Sequence, residues 1–150
     1  MPVFHDQSRE HLRRMYVEAW RKQRAGEALE PLEAQVARVI AEHPEYHGVL
    51  TAGEAALAAE FLPEGGAENP FLHLGLHLAI REQVATDRPP GIAAAHARLA
   101  QRLGSQHEAE HEMLEVLGEA LWSAQRSGTA PDEAAYLERI QRLASGVATS

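Results

Sequence analysis

The chain of 150 residues contains no cysteine. That excludes disulfides, thiolate zinc sites, iron–sulfur clusters and cysteine nucleophiles. Lysine is almost as scarce. Lys22 is the sole example, so Schiff-base chemistry has one candidate and the Gly-Lys-Ser/Thr phosphate loop is missing. Basic residues are outnumbered, 14 Lys and Arg against 22 Asp and Glu for a formal charge of −8. This argues against nucleic acid as a partner, which would need clustered positive charge. No apolar run has signal-peptide or membrane length. The expectation is a cytoplasmic protein with no membrane partner. No alternating stretch bounded by hairpin signals occurs, so strands are not expected.

What remains is ordinary globular composition, 45% hydrophobic and 24% charged, in a length that suits one domain with a proper core. No domain boundary, internal repeat or low-complexity tract interrupts residues 1–150. The apolar spacing predicts an all-α, single-domain bundle of about six helices. The first runs from about Ser8 to Ala25, with Leu12, Met15, Tyr16, Ala19 and Trp20 on one face and Gly26 as its stop. The second starts near Pro31 and presents Leu32, Val36, Val39 and Ile40 until Pro44 breaks or bends it. Thr51 and Glu54 have capping-box spacing for a short helix ending near Phe61, before a Leu62–Gly66 loop. Asn69 and Pro70 open a helix to about Asp87 that is apolar nearly all round. Helices from Ile92 to Leu103, from a Ser105 cap to about Arg126, and from about Pro131 to Ser145 complete the chain.

Histidine is the unusual abundance, with nine in the chain. Three pairs stand four apart: His43/His47, His73/His77 and His107/His111. Random scatter would give about half a pair at this spacing, which places two imidazoles on one helical face. Stepping about 100° per residue puts His107, His111 and Glu110 in the same sector as Leu114, Leu117, Leu121 and Trp122. Glu115 lies on its border, and Glu108, Glu112 and Glu119 face outward. His96 falls on the stripe of Ile92, Leu99 and Leu103. His73 and His77 share a face with Ile80 and Val84. Each inward neutral imidazole needs partners for a donor and an acceptor nitrogen, and an unmet group costs about 1–3 kcal/mol. A metal satisfies one nitrogen and leaves the other for a carboxylate or carbonyl.

The candidate ligands are therefore His43, His47, His73, His77, His107 and His111, with Glu110 or Glu115 adding a carboxylate and His96 as a further ligand or a supporting group. Six paired His exceed one tetrahedral zinc site. Facing helices of a bundle can build a binuclear, non-haem site from such residues. The expected cofactor is a divalent transition metal, iron first, with zinc and manganese as alternatives. Open coordination positions would suit dioxygen, another small ligand or redox chemistry. The alternative is an interaction protein, metal-free or held together by structural zinc. A homo-oligomer is compatible with either. His107-Glu108-Ala109-Glu110-His111 also satisfies the H-E-x-x-H pattern of zinc hydrolases, as a minor alternative. Glu108 points away from the His107 side, and its place in the Ser105 capping box gives it another task. The pattern is similar in style to hemerythrin without sharing its motif order, and the paired Glu-x-x-His motifs of ferritin-like proteins are missing.

Several segments together carry a whole-chain likeness: Ala19-Trp20-Arg21-Lys22 with Arg24-Ala25-Gly26-Glu27, Pro31-Leu32-Glu33, Glu42-His43-Pro44-Glu45-Tyr46-His47, Asn69 to Leu78, Pro89-Pro90-Gly91-Ile92, and His107 to Gly128. The chain resembles the bacterial domain-of-unknown-function 1841 family over nearly its full length. The resemblance implies a small helical protein and supplies no mechanism.

Overall fold

The computed structural model describes residues 2–58 and 69–146. Every regular element among them is helical: eight α-helices and one 3-10 turn, rather than about six helices. The difference arises mainly where Pro44 and Gly53 fall. Helix α2 (Pro31–Ala41) stops before His43, whose φ of −125° and ψ of 71° lie outside the helical region, as expected for a residue preceding proline. Pro44–Tyr46 forms the 3-10 turn, α3 spans His47–Thr51, and α4 spans Glu54–Ala58. Gly53 separates these two with φ +65°, a conformation that glycine adopts without penalty. Thr51 therefore ends one helix instead of capping the next, and its hydroxyl donates to His47 O at 2.6 Å. The helix end expected near Phe61 and the Leu62–Gly66 loop lie outside the described residues.

Helix α1 (Pro2–Ala25) begins six residues earlier than expected from the sequence, with a proline in its first turn, where no backbone donor is needed. Gly26 ends it at φ +73°, and Glu27 N donates back to Lys22 O at 3.0 Å, closing the helix end. Helices α5 (Pro70–Thr86), α6 (Ile92–Leu103), α7 (Gln106–Ser127) and α8 (Glu133–Ser145) follow. No helix among the described residues is long and apolar enough to cross a membrane.

The chain divides into two compact units, Met1–Leu78 and Ala79–Ser150. In the first, α1 packs against α2, α3 and α4. The buried cluster comprises Tyr16, Ala19 and Trp20 of α1, Val36, Val39 and Ile40 of α2, Tyr46, Leu50, Ala56, and Phe71 and Leu74 of α5. Arg13 is buried within this unit. Its Nη1 donates to Ala56 O and Leu57 O, both at 3.3 Å, satisfying carbonyls at the end of a helix too short to satisfy its own. Its guanidinium also lies 4.9 Å from the Phe71 ring centre. Lys22 pairs with Glu33 at 3.0 Å, tying α1 to α2.

In the second unit α6 packs on α7 and α8, and α7 on α8. Its buried side chains include Ile80, Ile92, Leu99, Met113, Leu117, Tyr136 and Ile140. Side-chain caps set the helix starts. Asp87 Oδ1 accepts from Gly91 N and Ala93 N at 3.1 and 3.0 Å, Ser105 Oγ from Glu108 N at 3.1 Å, and Asp132 Oδ1 from Ala135 N at 3.0 Å. The buried arc of α7 runs through Ala109, Glu110, Met113, Leu114, Val116 and Leu117. It is rotated by roughly a quarter turn from the arc read in the sequence, so Leu121 and Trp122 are exposed. A groove of about 520 Å³ is lined by Val116, Trp122, Tyr136 and Arg139 among others, none of them His.

Candidate metal centre

Helix α5 carries His73 and His77 one turn apart, and its start is fixed locally. Asn69 Oδ1 accepts from Phe71 N at 3.0 Å and Leu72 N at 3.2 Å, and Pro70 occupies the first helical position, a pairing that suits a helix N-terminus. His43 comes from the break after α2. Its backbone N donates to Ile40 O at 2.9 Å, and its ring Nδ1 lies 2.8 Å from Val39 O. A carbonyl can only accept, so Nδ1 carries a proton, and in the neutral ring Nε2 presents a lone pair.

That lone pair faces α5. His43 Nε2 lies 3.1 Å from His77 Nε2, which lies 3.1 Å from His73 Nε2. His43 and His77 are buried, at 1% and 0% exposure, and His73 is half-buried. One ring nitrogen from each falls within 4.8 Å of the others. Ligand nitrogens on a tetrahedron with bonds of about 2.0–2.1 Å are about 3.3 Å apart, so the spacing within the trio is near that of a coordination shell. The backbone carbonyl on His43 Nδ1 is the type of outer partner that orients a metal-binding imidazole.

His47 turns elsewhere. Its Nε2 donates to Ile40 O at 2.8 Å, and its ring lies against Trp20 at 4.5 Å. Trp20 Nε1 is buried without a hydrogen-bond partner among the described residues. In the second unit, His107 is exposed and His111 half-buried. Their rings are 4.3 Å apart, and His111 Nδ1 donates to His107 O at 3.0 Å. Glu110 is buried and receives Arg81 Nε at 3.1 and 3.2 Å on its two oxygens. Glu115 is exposed, and His96 is half-buried on α6. Within the first unit, His43, His73 and His77 each offer one ligand nitrogen, and no Asp or Glu joins them among the described residues.

Sequence reasoning passed over Tyr46. It is buried, nearly parallel to His43 at 5.7 Å and 9°, and edge-on to His73 at 5.6 Å and 71°. Its signal was its place in His43-Pro44-Glu45-Tyr46-His47, where the turn after proline brings the fourth residue back beside the first.

The family described as a domain of unknown function (DUF1841) matches residues 8–142 of this sequence. The chain belongs to that family. The match places all the paired His of this DUF1841 chain within the family's span. No curated protein and no solved structure matches the chain.

Proposed function

We propose that this is a metal-binding protein in which His43, His73 and His77 ligate one divalent transition ion. The observation that carries the reading is the double contact of His77 Nε2, 3.1 Å from His43 Nε2 on one side and 3.1 Å from His73 Nε2 on the other. A ring nitrogen has one in-plane position, holding either a proton or a lone pair. It cannot donate linearly to one neighbour while accepting from the other. A cation among three lone pairs removes the conflict.

The donor set favours one ion over two. His47 Nε2 is committed to Ile40 O, and Glu110 is paired with Arg81. Imidazole without carboxylate suits iron or zinc better than manganese, which prefers oxygen ligands. With zinc, three imidazoles leave the fourth tetrahedral position to water or another ligand. With iron, positions stay open for water, dioxygen or another small ligand.

Elemental analysis of untagged protein tests the proposal. It predicts about one ion per chain in the native protein. That ion should be absent from a folded His73→Ala/His77→Ala variant. Metal-free native protein that binds neither iron nor zinc on titration would leave a hydrogen-bonded histidine network as the reading.

A further inference from the structure

We infer that Tyr46 is a positioning residue for the metal centre, holding the planes of two ligands from different elements. The inference rests on the proposed metal centre. His43 and His73 come from different elements, and both rings touch one phenol ring. Tyr46 lies flat against His43 at 5.7 Å with 9° between planes and meets His73 edge-on at 5.6 Å and 71°. Both distances fall in the range where aromatic rings attract through offset or edge-to-face packing.

The placement is built into the chain. His43 precedes the 3-10 turn and Tyr46 closes it, with Tyr46 N donating to His43 O at 2.9 Å. Tyr46 is 7% exposed, which leaves its ring little room to turn. His43 is already fixed at Nδ1 by Val39 O, and the flat face of Tyr46 restrains the remaining freedom about the ring axis. The edge of Tyr46 in turn packs against the His73 ring and restrains its plane. A ligand held before the ion arrives loses less freedom on binding, and partners outside the coordination shell typically contribute about 10–100-fold in metal affinity.

The test titrates full-length Tyr46→Leu, Tyr46→Phe and the parent chain with Zn²⁺, and records the visible spectrum of each Co²⁺ form. Leu keeps apolar bulk and loses the flat face, whereas Phe keeps the ring and loses the hydroxyl. Tyr46→Leu should bind Zn²⁺ about 10–100-fold more weakly, with a shifted or weakened Co²⁺ band. Tyr46→Phe should match the parent in both. Parent-like affinity and spectrum in a folded Tyr46→Leu protein overturn the inference and leave the metal centre standing. Loss of affinity in Tyr46→Phe also overturns it, since the hydroxyl would then be the active part. That arm decides the matter if Tyr46→Leu does not fold. A parent chain that binds neither ion rejects the metal centre itself.

Discussion

His43 and His77 meet nitrogen to nitrogen at 3.1 Å, across 34 positions of sequence and at a depth where neither ring is reached by solvent. The pair separates ligand from packing roles. Replacing His73 with Ala removes a half-buried ring and should leave helix content intact while metal content falls. Replacing His77 should abolish binding and also cost about 1–3 kcal/mol through the cavity and the lost polar contacts. Metal per chain, measured beside circular dichroism, gives the answer. Full retention in a folded His77→Ala protein removes it from the site.

Chelation should lower the melting temperature. An ion that binds the folded chain alone stabilises it by about 2.7 kcal/mol at a hundredfold excess over Kd. Thermal melts with chelator, and again after metal is restored, should differ reversibly. Superimposable melts on protein known to contain metal would count against a stabilising centre.

The Arg81–Glu110 pair makes a contrasting prediction. Glu110→Ala leaves a guanidinium without its carboxylate in a partly buried place, with side-chain exposures of 31% for Arg81 and 11% for Glu110. The expected loss is about 1–2 kcal/mol, below that of a fully buried pair because Arg81 reaches water. Metal content should not change. If it drops in a folded variant, Glu110 is a ligand after all.

Tyr136 yields a prediction in alkali. Burial pushes its phenol up to about 12, and its hydroxyl donates to Gln83 Oε1 at 2.6 Å. An unfolded tyrosine ionises near about 10. The folded state keeps its proton longer, so the contribution is complete below about pH 10 and is lost as pH rises toward 12. Denaturant midpoints should fall across that window, and less steeply in Tyr136→Phe. Identical slopes in the two proteins would contradict the assignment.

Much of the fold was legible because the stop and start chemistry is local. Gly26, Pro31, Asn69-Pro70, Gly104 and Ser105 each act on their own turn, and the helices they bound appear where their spacing placed them. The segment from His43 to Ala58 was not legible in the same way. Pro44, Gly53 and short apolar runs permit one bent helix or several fragments, and contacts with α1 choose among them. The helix-face argument placed His73 and His77 side by side because α5 is regular. It misjudged the buried arc of α7, where Leu121 and Trp122 are exposed and Ala109, Met113 and Val116 are buried, because the covered arc is chosen by neighbouring helices that no single-helix projection contains. Tyr46 escaped notice for a related reason, since its neighbours come from two elements.

The near-complete burial of His43 and His77 has a kinetic consequence. An ion held there would have two of its ligands shut off from solvent, with His73 half-buried. Its departure would wait on local opening of the helices, a motion governed by the stability of the surrounding structure rather than by the strength of the coordination bonds. Exchange against a labelled isotope would then slow under stabilising conditions and quicken near the melting transition, even where equilibrium affinity hardly changes. Such a centre would keep its metal through brief exposure to a competitor and lose it chiefly when the chain breathes.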